Sequence, residues 1–162
     1  MKQTVKWLAA ALIALGLNQA VWADDVSDFR ENLQAAAQGN AAAQYNLGVV
    51  YAEGRGVRQN DAEAARWFRK AADQGFAQAQ FNLGVMYYKG RGVRQNNAEA
   101  ARWFRKAADQ GVAQAQFNLG VMYYKGHGVR QDLALAQEWL GKACQNGDQD
   151  GCDNDQRLKT GY

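Results

Sequence analysis

The sequence predicts an all-α solenoid in which antiparallel helix pairs stack one on the next. Three observations predict this fold: a phrase of 36 residues recurs three times in succession, apolar residues within each phrase follow helical spacing, and a glycine-rich stretch divides each phrase in two. A helix pair of this kind cannot bury its apolar stripes alone. Stacking the pairs makes a continuous core, so the repeats serve as one another's hydrophobic partners.

The whole units span residues 40–75, 76–111 and 112–147, and the first two agree at 29 of 36 positions. Residues 24–39 match the second half of a unit, so we expect an N-terminal half repeat that forms a capping helix. Residues 148–162 match the first half of a unit poorly and are predicted to form a degenerate C-terminal half repeat or tail. Terminal units are commonly atypical, because one of their faces meets water instead of a neighbour.

Each whole unit is predicted to contain two helices with one apolar stripe apiece. In the first unit the stripes are Ala43, Leu47, Val50 and Tyr51, then Ala64, Trp67, Phe68, Ala71 and Ala72. GRGVRQND separates them; its glycines favour a turn, and Asn60 or Asp61 is placed to cap the second helix. Gly75 is the expected C-cap glycine before the next unit.

One glycine lies inside the first helix of every unit, at Gly48, Gly84 and Gly120. Glycine inside a helix costs about 1 kcal/mol relative to alanine. We therefore expect a close helix contact at these positions, with the tryptophan of the second helix as the neighbour.

Residues 1–23 have the layout of a cleaved signal peptide. Lys2 and Lys6 precede an apolar run of about 11 residues, and Val-Trp-Ala follows just before Asp24. A retained membrane anchor is the alternative, but a span needs about 20 apolar residues. We expect cleavage near Asp24, no membrane span afterwards, and a mature chain in the periplasm of a Gram-negative bacterium or outside the cell.

Cleavage would lower the formal charge from +3 to +1, because Lys2 and Lys6 leave and no acidic residue does. So small a charge lacks the basic footprint of nucleic-acid binding, which is therefore not expected. The remaining chain suits one domain, and we expect a monomer.

AQAQFNLGVMYYKGRGV followed by AEAARWFRKAADQG resembles the Sel-1-like repeat, a relative of the tetratricopeptide repeat with a longer loop between its helices. The LGxxYxxGxGV core and the AxxWFxxAAxxG second helix recur in consecutive units, and the resemblance covers about residues 24–152. It implies a right-handed α-solenoid that acts as an adaptor for a protein or peptide partner.

The ending KACQNGDQDGC also resembles the cysteine-rich secreted branch of this family, which implies a disulfide between Cys144 and Cys152. Two cysteines on either side of the turn at Gly147 in an exported chain are compatible with that cross-link. The branch carries a disulfide in every unit, whereas Ala72 and Ala108 stand here in the positions of Cys144. A free reactive or metal-binding thiol is the alternative, although one histidine in the chain makes a poor metal site, and no metal is expected.

Some relatives in that branch carry a β-lactamase or penicillin-binding label, which makes catalysis the main competing function. A serine β-lactamase needs S-x-x-K, S-D-N and K-T-G elements. Ser27 is the one serine of the chain, and Asp-Phe-Arg follows it; His127 and Thr160 are the only His and Thr after the predicted signal. A Ser-His-Asp triad therefore cannot be assembled, and we expect neither an enzyme nor a cofactor.

Carboxylates and glycine loops offer no better catalytic site. The acids Glu63, Asp73, Glu99 and Asp109 recur on the polar side of the second helices, spaced to pair with Arg66, Lys70, Arg102 and Lys106. The GRGVRQ loops lack the third glycine and the preceding strand of a dinucleotide-binding motif, so they are predicted to be turns. His127 replaces the arginine of the equivalent loops and is expected to be solvated.

A second stripe on the first helices is predicted to bind the partner, because similarity to tetratricopeptide arrays places it on the concave surface. An aromatic ring beside a charged head is typical of peptide-binding hot spots. The alternative for the phenylalanines and the tyrosines of this stripe is a place in the inter-repeat core. The predicted binding residues are Phe81, Tyr88, Lys89, Phe117, Tyr124 and Lys125.

The predicted function is an exported scaffold that holds a peptide or a partner protein against the concave face of the array. One alternative is an envelope β-lactamase-like or penicillin-binding activity, as in the labels of the cysteine-rich relatives. The other is a secreted factor that contacts host cells.

Overall fold

Helices joined by short loops make up the computed structural model, which describes residues 27 and 29–161. The first helix, α1, includes residues 29–37. It is followed by α2 (Ala41–Glu53), α3 (Asp61–Asp73), α4 (Ala77–Lys89), α5 (Asn97–Asp109), α6 (Ala113–Lys125), α7 (Leu133–Gln145) and α8 (Gln149–Thr160). No strand occurs in this described part, so the all-α prediction is confirmed.

The predicted signal peptide, residues 1–23, lies outside the described residues. Within the described ranges, every helix is too short or too polar to cross a bilayer.

The helices stack in chain order. From α2 to α8, each helix packs against the next one along the chain, so the pairs α2/α3, α4/α5 and α6/α7 form three successive layers. The predicted α-solenoid is therefore confirmed. Helices α4 and α6 have the same sequence, AQAQFNLGVMYYK.

The core is built from leucines on the first helices and from alanines and aromatic residues on the second. Leu47, Leu83 and Leu119 are fully buried in equivalent positions. The alanines of α3 and α5 let these helices lie close to their neighbours, and Phe68 and Phe104 fill the space between the two helices of a unit. The stripes predicted from helical spacing are thus buried, apart from Tyr51 and Trp67, which are half-buried.

The loops follow the predicted turn chemistry. Asn60, rather than Asp61, is the N-cap of α3, because its side-chain oxygen accepts a hydrogen bond from the backbone N–H of Glu63 at 3.1 Å. The loop after α2 begins at Gly54, whose φ of 72° lies in the left-handed region that favours glycine. Gly75 has a φ of 90° and reverses the chain between units.

The helix glycines mark close contacts, but the expected neighbour was wrong. A Cβ on Gly84 would lie 2.7 Å from Cδ1 of Phe104, and Gly48 faces Phe68 in the same way. Trp103 immediately precedes Phe104 in α5, so its side chain points about 100° away from that of Phe104 around the helix axis. It turns instead towards the preceding unit.

That tryptophan takes part in a contact between units. The guanidinium of Arg69 in α3 lies 5.8 Å from the ring centroid of Trp103 in α5 and donates a hydrogen bond to the hydroxyl of Tyr87 in α4. Arg105 makes the equivalent contacts with Tyr123 and Trp139 one unit later. These contacts hold consecutive units in one register.

Candidate partner-binding surface

The first helices expose one continuous line of side chains, which we call the first-helix face. It is formed by residues at intervals of three or four along each helix and by the lysine that ends the helix, while Ala79, Leu83 and Met86 of α4 are buried on the opposite side. The members are Gln78, Asn82, Val85, Tyr88 and Lys89 in α4, and Gln114, Asn118, Val121, Tyr124 and Lys125 in α6.

The tyrosines and lysines predicted to bind a partner reach solvent on this face. Tyr88 is 36% exposed and Tyr124 is 47% exposed. Lys89 and Lys125 are exposed as well, and neither takes part in an ion pair within the described residues. The second and third units therefore each present a phenol next to an ammonium group that forms no ion pair, whereas the first unit has Ala52 and Glu53 in these positions.

The predicted phenylalanines lie deeper. Phe81 is half-buried, packs against the core of the second and third units, and has its ring centroid 5.9 Å from that of Phe104. Phe117 is half-buried in the equivalent position of α6. These two residues contribute to the floor of the surface rather than to its exposed rim.

Grooves run between consecutive first helices. One of about 260 Å³ lies between α2 and α4, and another of about 460 Å³ lies between α6 and α8. Six equivalent positions line both grooves: Val49, Ala52, Phe68, Asn82, Val85 and Met86 in one, and Val121, Tyr124, Leu140, Asn154, Arg157 and Leu158 in the other. Glu53 and Arg91 also line the first groove. The two junctions thus share these groove positions.

The sequence reasoning missed the asparagines of this surface. Asn46, Asn82, Asn118 and Asn154 occupy one position in four consecutive first helices, and Asn82 and Asn154 line the two grooves. Their recurrence was visible in the repeat alignment. A recurring asparagine carries no hydrophobic signal, and the predicted binding residues are all aromatic or charged.

Buried glutamines beneath this surface were also missed, and they support the fold. Gln80 donates to the carbonyl oxygen of Ala72 at 3.1 Å and accepts from the side chain of Gln110 at 2.8 Å. Gln44 and Gln116 make the equivalent bonds in their own units. Each glutamine joins a first helix to the second helix on either side, and buried polar groups bonded in this way fix one arrangement.

Cys144 and Cys152 form a disulfide with a sulfur–sulfur distance of 1.96 Å. In the repeat alignment Cys144 stands where Ala108 stands one unit earlier, and Cys152 stands where Gln116 stands. Gln116 reaches the carbonyl of Ala108 over a separation of eight residues, as the disulfide does. The covalent link between α7 and α8 therefore replaces the hydrogen bond that joins the helices in earlier units.

The residues considered for catalysis are scattered. Ser27 is exposed near the start of α1, and His127 is exposed on the loop between α6 and α7. Glu63 forms an ion pair with Arg66 at 2.6 Å, and the equivalent ion pair occurs one unit later.

Lys70 does not pair with an acid as expected, because its ammonium lies 4.1 Å from the ring centroid of Trp67. Across the described ranges, no three His, Cys, Asp or Glu side chains are grouped as metal ligands.

Comparison with known proteins identifies the repeat. The Sel1 repeat model matches residues 41–76, 77–112 and 113–148. Among curated proteins, the comparison finds no significant match.

Solved structures give the same result. A protective antigen of uropathogenic Escherichia coli with an SLR fold is 45% identical, with a TM-score of 0.74, over 78% of this chain and 26% of its own. A Sel1 repeat protein of Oxalobacter formigenes is 37% identical, with a TM-score of 0.79, over 90% and 59%. The chain thus spans about a quarter and about three-fifths of these two proteins.

Cysteine-rich protein B of Helicobacter pylori shares the fold at 20% identity. Its TM-score is 0.65, and the match covers 82% of this chain and 96% of that protein.

Proposed function

Because the chain belongs to the Sel1 repeat family, whose proteins are protein-interaction scaffolds, we propose that it binds a peptide or partner protein on the first-helix face, and that this face is the concave side of the array, as similarity to tetratricopeptide arrays implies. The observation that carries this proposal is the repeated pair of exposed tyrosine and unpaired lysine in α4 and α6. Tyrosine supplies rigid apolar contact area with a polar end, and such residues dominate binding energies at many interfaces.

A cross-linking experiment tests the surface. We expect a photo-reactive residue at position 88 or 124 to capture one and the same partner in cells. The control is position 66, an exposed arginine site on the outer side of α3. Equal capture from position 66, or no capture from positions 88 and 124, would contradict the proposal.

The captured partner then allows a quantitative test. With purified proteins, Tyr88→Ala combined with Tyr124→Ala is expected to weaken binding by at least about tenfold, since loss of an interface anchor commonly costs about 2 kcal/mol. Arg66→Ala is the matched surface change and should leave the affinity unchanged.

We also propose that the protein is exported. The signal-like residues 1–23 and the disulfide support this location, because disulfides persist in oxidising compartments. Fractionation followed by N-terminal sequencing is expected to find a chain that begins near Asp24 in the periplasm or the medium. A chain that retains Met1 in the cytoplasm would contradict it, and the location also separates an envelope scaffold from a factor that contacts host cells.

The Sel1 repeat fold is generally a non-catalytic scaffold. We propose that this chain has no β-lactamase-like activity, because Ser27 has no lysine one helical turn further on. The purified protein is expected not to hydrolyse a chromogenic β-lactam. Turnover that survives Ser27→Ala would show a catalytic route built from other residues.

A further inference from the structure

We propose that a pocket between α7 and α8 binds a guanidinium group, such as the end of an arginine side chain, on the carboxylate of Asp155. This α7/α8 pocket has a volume of about 480 Å³, which is within the usual range of small-ligand sites. Its charged lining residues are Glu138, Lys142, Asp155 and Lys159, and Gly141 lies among them. Among the described residues, none lines both this pocket and a groove of the first-helix face, so the site is a separate one.

The first evidence is a buried carboxylate oxygen without a partner. Asp155 is 8% exposed. Its Oδ2 pairs with Nζ of Lys159 at 2.6 Å, whereas its Oδ1 is buried and has no hydrogen-bond partner within the described residues. A Cβ on Gly141 would lie 3.8 Å from Oδ1 and 3.9 Å from Oδ2, so the carboxylate faces α7 at the glycine that lines the pocket. A buried charged group that lacks a partner is costly.

Packing does not explain why an acid stands here. In the repeat alignment, Asp155 occupies the position of Leu83 and Leu119, which are fully buried. A leucine would need no polar partner at this position. An acid that only kept further units away would be solvated, whereas Asp155 is buried and faces α7. A residue that breaks the pattern of the fold in this way often belongs to a functional site.

The preceding junction shows which group suits the pocket. In the repeat alignment, Gly141 stands where Arg105 stands, and Lys159 stands where Tyr123 stands. The guanidinium of Arg105 crosses from α5 to α6 and donates a hydrogen bond to the Tyr123 hydroxyl at 2.5 Å. An arginine side chain therefore fills the place that stays open between α7 and α8. Since α7 has a glycine at this position, a guanidinium from another molecule would occupy the place.

The chemistry of the carboxylate favours a guanidinium over other cations. A guanidinium is planar and donates two parallel N–H bonds, one to each oxygen of a carboxylate. The ammonium of Lys159 bonds one oxygen only, and the lysine side chain is 58% exposed, so this ion pair contributes little and is readily displaced. Glu138 and Lys142 pair with each other at 2.6 Å. In the described part of the chain, no third acid, His or Cys joins Asp155 and Glu138 to hold a metal ion.

A titration followed by NMR tests the inference with a defined probe. N-acetylarginine methylamide is added to the disulfide-bonded protein, and saturable shifts are expected in the amides of residues 137–145 and 151–159. The expected Kd is about 1 mM, the range for a ligand of so few atoms. The citrulline counterpart has the same shape without the charge, and the lysine counterpart has the charge without the planar group. Both should bind at least about tenfold more weakly, and equal binding of either one, or no shifts in these residues, would overturn the inference.

A matched pair of variants tests the carboxylate. Asp155→Asn keeps the shape of the side chain, removes its charge, and is expected to weaken binding at least about tenfold, because hydrogen bonds between charged groups are strong. Asp153→Asn removes the same charge from an exposed position of α8 and should leave the affinity unchanged. Circular dichroism checks that both variants are folded. Undiminished binding by Asp155→Asn, or an equal loss in both variants, would contradict a specific site at Asp155.

A third variant supplies the guanidinium from the chain itself. Gly141→Arg places an arginine in α7 where Arg105 stands in α5, and we expect it to abolish binding of the arginine compound. In urea unfolding, Gly141→Arg should stabilise the protein more than Gly141→Gln, whose helix propensity is similar. This difference should disappear when Asp155→Asn is also present. A difference that persists would show that the carboxylate is not the partner of the guanidinium.

A pentapeptide with a central arginine distinguishes two sources of the group. Binding of the peptide and of the small compound would indicate the arginine side chain of a partner protein, whereas binding of the compound alone would indicate a small free guanidine. Binding of neither would overturn the inference. The outcome is independent of Tyr88 and Tyr124, so its failure would leave the proposed partner-binding surface standing.

Discussion

Gly84 shows, at the scale of one residue, how close the two helices of a unit lie. The ring of Phe104 occupies the space that a Cβ would need, and the same arrangement recurs at Gly48 with Phe68. A glycine inside a helix costs about 1 kcal/mol relative to alanine when nothing else opposes the exchange. Here the packing of the aromatic ring outweighs the helix propensity, so glycine is the stable choice.

Two glycine-to-alanine changes should therefore have opposite effects. Gly84→Ala is expected to destabilise the protein by about 1–3 kcal/mol through overpacking against Phe104. Gly141→Ala in α7 is expected to stabilise it by about 0.5–1 kcal/mol, because the nearest atom to its new Cβ is an Asp155 oxygen at 3.8 Å. Urea unfolding followed by circular dichroism measures both, and effects of the same sign would contradict this account.

The spacing of apolar residues predicted the helices and their buried faces. It did not predict contacts that depend on how whole helices pack against each other. Leu47 falls on an apolar stripe that can be read from spacing alone, and it is buried. The partner of Gly84 was assigned to the wrong aromatic residue, because Trp103 and Phe104 differ by one position and only the helix contact distinguishes them. Gln80 was missed because a polar side chain is expected outside until its partners are known.

At the scale of elements, hydrogen bonds from buried glutamines link consecutive units, and a disulfide replaces this link at the C-terminal end. Gln80 and Gln116 join first helices to the carbonyls of Ala72 and Ala108. At the junction of α7 and α8 a disulfide takes over the same place. The terminal helix has a neighbour on one side only, and a covalent link compensates for the burial that it lacks.

Reduction should therefore loosen α8 and leave the rest of the array folded. On adding reductant, we expect faster amide hydrogen exchange in residues 149–160 and little change from α2 to α6, whose mutual burial is intact. The double variant Cys144→Ser, Cys152→Ser should behave in the same way without reductant. Loss of protection throughout α2 to α5 would show that the disulfide supports the whole array.

The equivalence of the two links predicts an engineered disulfide. Ala72→Cys with Gln80→Cys places two thiols at the positions that Cys144 and Cys152 occupy further along, so oxidation is expected to join α3 to α4. The control pair, Ala72→Cys with Gln78→Cys, puts its second thiol on the exposed side of α4 and should stay reduced. Mass spectrometry after thiol alkylation distinguishes them. Free thiols in the first pair would show that the two junctions differ in geometry.

At the scale of the whole molecule, the surface of α7 and α8 differs from every internal junction. Arg69 and Arg105 hold the following unit, but Gly141 stands in their position in α7. Asp155 occupies the position of the buried leucines and pairs with Lys159 at 2.6 Å. This surface is polar and lacks the groups that would hold another unit.

The first described helix does not supply a matching surface. In the repeat alignment, Glu31 and Asn32 of α1 stand where Trp67 and Phe68 stand in α3. A second copy therefore cannot continue the core by placing its α1 against α8. We expect a monomer whose mass in sedimentation equilibrium is constant across a wide range of protein concentration, and a mass that rises with concentration would contradict this expectation.

The identity of α4 and α6 has a consequence for how such a chain changes over evolutionary time. Helix α6 could pack against α3 in the same way as α4 does, because α4 and α6 have the same sequence. Recombination that removes or copies residues 76–111 therefore recreates an existing interface and demands no new one. The length of the array can change in one genetic step, and with it the length of the segment that its surface could hold.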